Sequence, residues 1–204
     1  MTPVDLIVMG ASFGGLRAVT AILAGISEGF SLPIVIVQHR LAEAEERLVG
    51  LLQKHTALKV REAEDKEDIA CGNVYLAPTN YHLLIEPGCF ALSTEAPVCH
   101  ARPSIDMLFE SAEYSYKDRV LGVVLTGASS DGAKGAASIR RSGGMVIVQA
   151  PETAESRVMP EAALHEVPDA RVLRLDEIAA FIGTLGASKE RKGEDGSAGQ
   201  HTDY

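Results

Sequence analysis

Short apolar runs alternate along the chain with longer segments in which apolar residues recur at helical spacing. Leu6–Met9 is the first such run, and the helical segment Leu16–Ile26 follows it. The same order recurs three times: Ile34–Val37 before Ala44–Gln53, Val120–Leu125 before Ala133–Arg141, and Met145–Val148 before a short helix near Pro160–His165. Strands this continuously apolar are buried on both faces. The pattern predicts an α/β fold: a doubly wound, mostly parallel sheet with helices on both faces.

The middle of the chain has a different pattern. Three short strands separated by Pro-Thr-Asn and Pro-Gly turns predict a small antiparallel hairpin insertion or edge: Asn73–Pro78, His82–Glu86 and Phe90–Ser93. A helix is predicted to follow over Arg102–Tyr116, with Pro103 near its first turn. From Ala187 onward almost no residue is apolar. We therefore expect one domain over residues 1–186 and a disordered tail over 187–204.

Composition narrows the class of protein. The formal net charge of −9 disfavours nucleic acid as a partner, because phosphate binding depends on Lys and Arg. No apolar stretch reaches the ~20 residues that span a bilayer, and the N-terminus has no signal-peptide pattern, so we expect a cytoplasmic protein without membrane insertion. Three cysteines without C-x-x-C spacing indicate neither a disulfide framework nor a zinc site.

The candidate chemistry begins where the first predicted strand ends. Gly10–Gly15 reads Gly-Ala-Ser-Phe-Gly-Gly, so Ser12 lies in a G-x-S-x-G turn between a strand and a helix. Such a turn exposes a serine hydroxyl at a helix N-terminus, where negative charge is stabilised. His39 follows the second strand, and Asp131 follows the strand Val120–Leu125. Because parallel strands end at one edge of the sheet, these residues are candidates for nucleophile, base and acid.

Each residue also has an ordinary structural interpretation. Ser12 is a candidate cap for the first helix, His39 a loop histidine, and Asp131 a candidate N-cap for the helix that follows it. A dinucleotide site is a rival, but its G-x-G-x-x-G pattern requires glycine at the position of Ser12. An α/β-hydrolase with the order Ser12, Asp131, His165 is a second rival, although there the nucleophile turn follows a central strand deep in the chain.

With these residues placed, the sequence resembles the catalytic domain of chemotaxis protein-glutamate methylesterases of the CheB type. The resemblance extends from Leu6 to Gly183. Several blocks carry it: Gly10–Gly15, Val37–His39, Gly72–Pro78 with His82, Arg102–Ser111, Leu125–Gly127 with Asp131–Ala133, and Met159–Pro160 with Ala162–Ala163. Residues 1–186 would then be the methylesterase catalytic domain.

The resemblance implies Ser12 as nucleophile, His39 as general base and acid, and Asp131 as its orienting acid. It implies hydrolysis of glutamyl methyl esters on the cytoplasmic domains of chemoreceptors and deamidation of receptor glutamines, with a receptor methyltransferase as functional counterpart. It implies neither a metal nor an organic cofactor. The family's receiver domain has no room before the first strand, so we expect a stand-alone protein.

Two departures from the family pattern lie next to the implied chemistry. Phe13 replaces a small hydroxyl residue after the nucleophile, and Ala128 replaces the methionine of a Gly-Met-Gly loop. The resemblance places both at the oxyanion hole or the substrate pocket. Because a lost side-chain donor there lowers the rate, these two residues support an alternative, a catalytically weak methylesterase-like module that binds receptor or signalling helices.

Overall fold

The computed structural model describes residues 3–39 and 45–194, with side chains described at 3–39 and 48–186. The strands in these ranges are β1 Leu6–Ala11, β2 Ile34–Gln38, β3 Lys59–Glu62, β4 Asn73–Leu76, β5 His82–Glu86, β6 Cys89–Ser93, β7 Val120–Val124, β8 Met145–Gln149 and β9 Arg171–Leu173. The α-helices are α1 Gly15–Ala24, α2 Glu45–Gln53, α3 Ile105–Tyr116, α4 Ala133–Arg141, α5 Val158–Glu166 and α6 Leu175–Glu194.

Seven strands form one parallel sheet in the order β3-β4-β2-β1-β7-β8-β9. The chain adds strands on one side of β1 and then returns to add β7 on the other side. The strand order therefore reverses at β1 and β7, which is where open parallel sheets form a crevice for ligands. β5 and β6 form a separate antiparallel hairpin. The predicted fold class is confirmed.

The apolar strands separate two layers of core. On one face, β1 and β2 contribute residues that pack with α1 and α6. On the other face, alternate residues of the same strands pack with α3, α4, α5 and the β5–β6 hairpin. Every residue of β1 and β7 is buried, as expected for strands covered on both faces.

The structure departs from the sequence prediction in the middle of the chain and near its end. Asn73–Leu76 was predicted to belong to the antiparallel insertion, but it pairs in parallel with β2 and β3 in the main sheet. Only β5 and β6 form the hairpin. The prediction missed β3, β9 and α6. α3 begins at Ile105 rather than at Arg102, because Ser104 is its N-cap.

α6 continues to Glu194, so the predicted start of the tail at residue 187 lies inside this helix. Residues 195–204 lie outside the described residues, and a disordered tail there stays a prediction. Across the described part of the chain, no helix combines the length and the apolar character that a bilayer span requires.

Candidate active site

Ser12 lies in the tight turn between β1 and α1. Its backbone N–H donates to the carbonyl of Thr126 (3.0 Å), and its own carbonyl accepts from Gly15 N–H (2.9 Å). The N-cap of α1 is Gly14, in the left-handed region at φ 76°, and no side chain caps this helix. Ser12 therefore does not serve as a helix cap, and its half-buried side chain stands at the edge of the sheet.

Gln38 connects this turn to the end of β2. Its side-chain amide donates to the carbonyl of Ser12 (2.8 Å) and to the carbonyl of His39 (2.9 Å). The backbone N–H of His39 donates to Ala11 (2.9 Å), which continues the parallel ladder by one residue. One amide group thus fixes the backbone of two candidate residues relative to each other.

The His39 ring pairs with the carboxylate of Asp131. His39 Nε2 lies 2.9 Å from Asp131 Oδ2. The His39 side chain keeps 14% of its surface exposed, whereas Asp131 is fully buried. The structure therefore brings two of the three predicted site residues into direct contact at the switch point, next to the turn that holds Ser12.

Four donors converge on the Asp131 carboxylate. Besides His39, these are the hydroxyl of Ser104 (2.8 Å) and the backbone N–H groups of Ile105 (2.7 Å) and Asp106 (3.0 Å). Burial alone would raise the pKa of Asp131. The hydrogen bonds from His39, Asp106, Ile105 and Ser104 outweigh it and hold the pKa of Asp131 below its ordinary value. The carboxylate is therefore ionised and acts only as an acceptor.

These contacts overturn the ordinary interpretation of Asp131. The N-cap of its own helix, α4, is Gly132, a residue without a side chain that could act as a cap. The Asp131 carboxylate instead caps α3, a helix from a separate part of the chain. The positive end of the α3 dipole stabilises its charge.

Glycines allow α3 to come this close. A Cβ at Gly132 would lie 2.6 Å from Cγ2 of Ile105, and one at Gly10 would lie 2.3 Å from the same atom. Gly132 also has φ +97°, in the left-handed region that favours glycine. Side chains at these two positions would push Ile105 away from the site. The backbone N–H of Ile105, which donates to Asp131, would move with it.

A third loop closes the site beside Ser12. Gly127 N–H donates to Ser156 (3.2 Å), and Gly127 carbonyl accepts from Met159 N–H (2.9 Å) and Ser156 Oγ (2.9 Å). Buried Gln149 accepts from Thr126 N–H (2.8 Å), and Thr126 Oγ1 donates to the carbonyl of Phe13 (2.9 Å). The loop after β7 is thus held on both sides of Gly127, against the nucleophile turn.

Two cavities flank the site. A cavity of about 250 Å³ is bordered by His39, Ser129 and the segment 99–103. A larger cleft of about 720 Å³ lies behind the nucleophile turn, between α1 and residues 152–155, and contains none of the three predicted catalytic side chains. Of these two cavities, the smaller one borders the His39 ring.

The other candidate residues named from the sequence, Phe13, Ala128 and His165, are all exposed. Phe13 is 58% exposed beside Ser12, and Ala128 is exposed on the loop after β7. His165, the base of the rival α/β-hydrolase order, is exposed in the last turn of α5. Because Asp131 pairs with His39, the structure does not support that rival order.

One cluster has the composition of a metal site. Cys99, Asp106 and Asp131 each place one ligand atom within 4.8 Å of the others. Hydrogen bonds already occupy both oxygens of Asp131 and one oxygen of Asp106. The cluster therefore does not offer a set of free ligands.

Sequence reasoning assigned no role to several residues that shape the site. Gln38, Ser104, Asp106, Thr126 and Gln149 all make the contacts described above. Their positions carried a signal: all of them except Gln149 lie within the blocks that the resemblance rests on. Their partners are distant in sequence, so the sequence alone did not reveal what they bind.

Comparison with known proteins identifies the class. The CheB methylesterase family model matches residues 7–182. The chain belongs to this family of hydrolases.

Individual relatives agree with this assignment. A Leptospira interrogans protein, provisionally named protein-glutamate methylesterase/protein-glutamine glutaminase, is 46% identical over 179 residues, which are 87% of this chain and 93% of that protein. The Myxococcus xanthus protein-glutamate methylesterase FrzG is 39% identical over 88% of this chain and 54% of its own length. The crystal structure of the Thermotoga maritima CheB methylesterase catalytic domain matches with a TM-score of 0.86 and 32% identity, over 90% of this chain and all of that domain.

The matched lengths differ between relatives. The chain spans nearly all of the Leptospira protein but about half of FrzG and of an Anaeromyxobacter dehalogenans relative, of which it covers 53%. The Thermotoga structure is a catalytic domain on its own, and this chain covers all of it.

Proposed function

We propose that this protein is a serine hydrolase that removes methyl esters from glutamate side chains of chemoreceptors and deamidates receptor glutamines. The observation that carries the proposal is the 2.9 Å hydrogen bond between His39 and the fully buried Asp131, at the sheet edge where Ser12 leaves β1. Membership of the methylesterase family and the names of the relatives support the substrate class.

The His39–Asp131 hydrogen bond determines which ring nitrogen acts as the base. Since the ionised carboxylate of Asp131 only accepts, neutral His39 carries its proton on Nε2. Nδ1 is then the unprotonated nitrogen, and it is the atom that takes the proton from the Ser12 hydroxyl. Asp131 holds this tautomer and stabilises the imidazolium that forms.

The reaction proceeds through an acyl-enzyme. Ser12 Oγ attacks the ester carbonyl while Nδ1 of His39 accepts the hydroxyl proton. The tetrahedral intermediate collapses, the C–OCH₃ bond breaks, and methoxide takes the proton from His39 and leaves as methanol. Water, deprotonated by His39, then attacks the acyl-serine. The bond between the acyl carbon and Ser12 Oγ breaks, Oγ takes the proton back from His39, and glutamate is released. A glutamine substrate loses ammonia in place of methanol.

Two backbone N–H groups are our candidates for the oxyanion hole, those of Phe13 and Ala128. A trans peptide is planar, so each N–H points opposite to the carbonyl of the preceding residue. The carbonyl of Ser12 is held by Gln38 and Gly15, and that of Gly127 by Met159 and Ser156. Both N–H directions are therefore fixed before substrate binds, and neither needs a polar side chain at position 13 or 128.

An oxyanion hole made of backbone N–H groups also explains how the enzyme works with Phe13 in place of a hydroxyl residue. Its ring is 58% exposed beside the nucleophile, so it adds apolar surface to the substrate pocket rather than a hydrogen-bond donor. Since the donors proposed above belong to the backbone, the replacement at Phe13 leaves the chemistry intact.

The proposed partners are the cytoplasmic domains of chemoreceptors, with a receptor methyltransferase as the counterpart that adds the methyl groups. We infer that the protein acts in the cytoplasm and needs no cofactor, and that it binds neither nucleic acid nor the bilayer interior. The net charge of −9 supports the exclusion of nucleic acid.

Methanol release from a methylated chemoreceptor cytoplasmic fragment tests the proposal. We expect the protein to release methanol and Ser12→Ala to abolish release. Ser27→Ala removes an exposed hydroxyl in the loop after α1 and serves as the matched control, with release equal to the parent protein. Binding of the receptor fragment by a folded protein that releases no methanol would instead favour the binding module.

A further inference from the structure

Two buried carboxylates cap each other's helices beside the active site. Asp131, just before α4, accepts from the first backbone N–H groups of α3. Asp106, in the first turn of α3, accepts in return from the N–H groups of Gly132 (2.9 Å) and Gly135 (2.8 Å) at the start of α4. Asp106 is 4% exposed, so water does not compete for these bonds. Each helix start is therefore held by an acid from the other.

We propose that Asp106 is a positioning residue that fixes Asp131 against His39 by holding the peptide between Asp131 and Gly132. The proposal rests on the proposed function, since it takes Asp131 as the acid that orients the catalytic base. Asp106 itself does not contact the His39 ring in this arrangement. Its effect reaches the base through the orientation of Asp131.

The connection is direct because the Gly132 N–H belongs to the peptide that Asp131 begins. Asp106 Oδ1 fixes the direction of that N–H, and a planar peptide then fixes the Asp131 carbonyl as well. Without this acceptor, two buried N–H groups lose their partner, and the peptide after Asp131 loses the hydrogen bond that fixes its N–H. A displacement of about 1 Å at a catalytic group is enough to lower a rate by about a hundredfold.

The role requires an acceptor oxygen and not a negative charge. Burial raises the pKa of Asp106, and the charge of Asp131 raises it further, against the opposing hydrogen bonds from Gly135 and Gly132. Both backbone bonds go to the single atom Oδ1. An asparagine side chain offers an equivalent oxygen at the same distance from the backbone, whereas alanine offers none.

The test compares Asp106→Asn and Asp106→Ala with a control at the other end of the same helix pair. There Ser142, which follows α4, donates to Glu113 of α3, so Ser142→Ala loosens the two helices far from Asp131. The readouts are kcat and KM for methanol release and the ¹⁵N NMR shifts of the His39 ring, which report whether Nε2 carries the proton. Where Asp106→Ala does not fold, Asp106→Glu takes its place, because it moves the oxygen by one methylene.

We expect Asp106→Ala to lower kcat by about a hundredfold with KM within about threefold, and to mix the two His39 tautomers. Asp106→Asn keeps kcat within about threefold and keeps Nε2 protonated, and Ser142→Ala does the same. The proposal is overturned if Asp106→Asn loses as much kcat as the alanine variant, or if the alanine variant keeps the parent tautomer. The NMR shifts test the role of Asp106 even if the protein releases no methanol. Failure of this proposal can therefore be distinguished from failure of the proposed function.

Discussion

At the scale of single residues, the site depends on one buried carboxylate with many donors. Asp131 receives hydrogen bonds from His39, Ser104 and two backbone N–H groups. An amide side chain has only one oxygen, so it cannot accept from all four. Its NH₂ group would also face donors, which leaves buried polar atoms without partners.

Asp131→Asn is therefore expected to lower the free energy of unfolding by about 1–3 kcal/mol at neutral pH. The folded state lowers the pKa of Asp131, so the stability from its ionised form is present above the unfolded value of about 3.9 and is lost as pH falls through the folded value. Urea denaturation of both proteins from pH 7 to pH 3 checks this. The difference should narrow with acidification, and a constant difference would show that the charge contributes nothing.

The site residues also show how much of the site can be predicted from positions in the sequence. The positions of Ser12 and His39, each directly after an apolar strand, were enough to predict that they share one sheet edge. The structure confirms that His39 and Asp131 meet. The sequence did not reveal that Asp131 caps α3, because its partners Ser104, Ile105 and Asp106 are more than twenty residues away.

At the scale of elements, close contact between two helix starts builds the site. Two features require glycine at position 132: its φ of +97° and its close contact with Ile105. Gly88 has a similar φ of +86°, in the β5–β6 turn, but a Cβ there would meet nothing within 4 Å. A side chain at Gly88 would therefore add backbone strain alone, whereas one at Gly132 would add both strain and a steric clash.

We expect Gly88→Ala to cost about 1 kcal/mol of stability with activity unchanged, because only backbone strain is added. Gly132→Ala should cost more, by about 1–3 kcal/mol, and should lower methanol release at least tenfold, because Ile105 moves away from Asp131. Thermal unfolding and initial rates of both variants check the prediction. Equal effects of the two substitutions would mean that the contact with Ile105 does not matter.

The two strands that the sequence prediction missed, β3 and β9, have weak apolar patterns. β9 has only three residues, none of them buried, and β3 has a single buried position. β9 pairs with β8 and β3 pairs with β4, and no local sequence pattern indicates these pairings. The assignment of β4 was wrong for a similar reason: turn signals on both sides suggested a hairpin, while its partner β2 is far away in sequence.

At the scale of the whole molecule, the sheet divides the core between two layers with different tasks. The layer with α3 and α4 carries the contacts around Asp131. The opposite layer contains α6, whose Ile178 and Ile182 are fully buried against the α1 side of the sheet. Packing in that second layer contributes stability and does not touch the His39–Asp131 pair.

Ile182→Ala should therefore lower the unfolding free energy by about 2–5 kcal/mol and leave kcat unchanged at temperatures where the variant stays folded. Ile105→Ala, a substitution of the same size in the catalytic layer, should lower both stability and kcat. Denaturation curves and rates at 15 °C, measured side by side, check this. Loss of kcat in Ile182→Ala would mean that the two layers are coupled.

Covalent labelling of Ser12 by a fluorophosphonate, followed by mass spectrometry, tests the central claim most directly because it needs no knowledge of the receptor. The parent protein should be labelled at Ser12. His39→Ala should slow labelling by about a hundredfold or more, because the base that activates the hydroxyl is gone. Labelling of Ser12 at the same rate in both proteins, or absence of labelling in the folded parent protein, would contradict a nucleophile activated by His39 and Asp131.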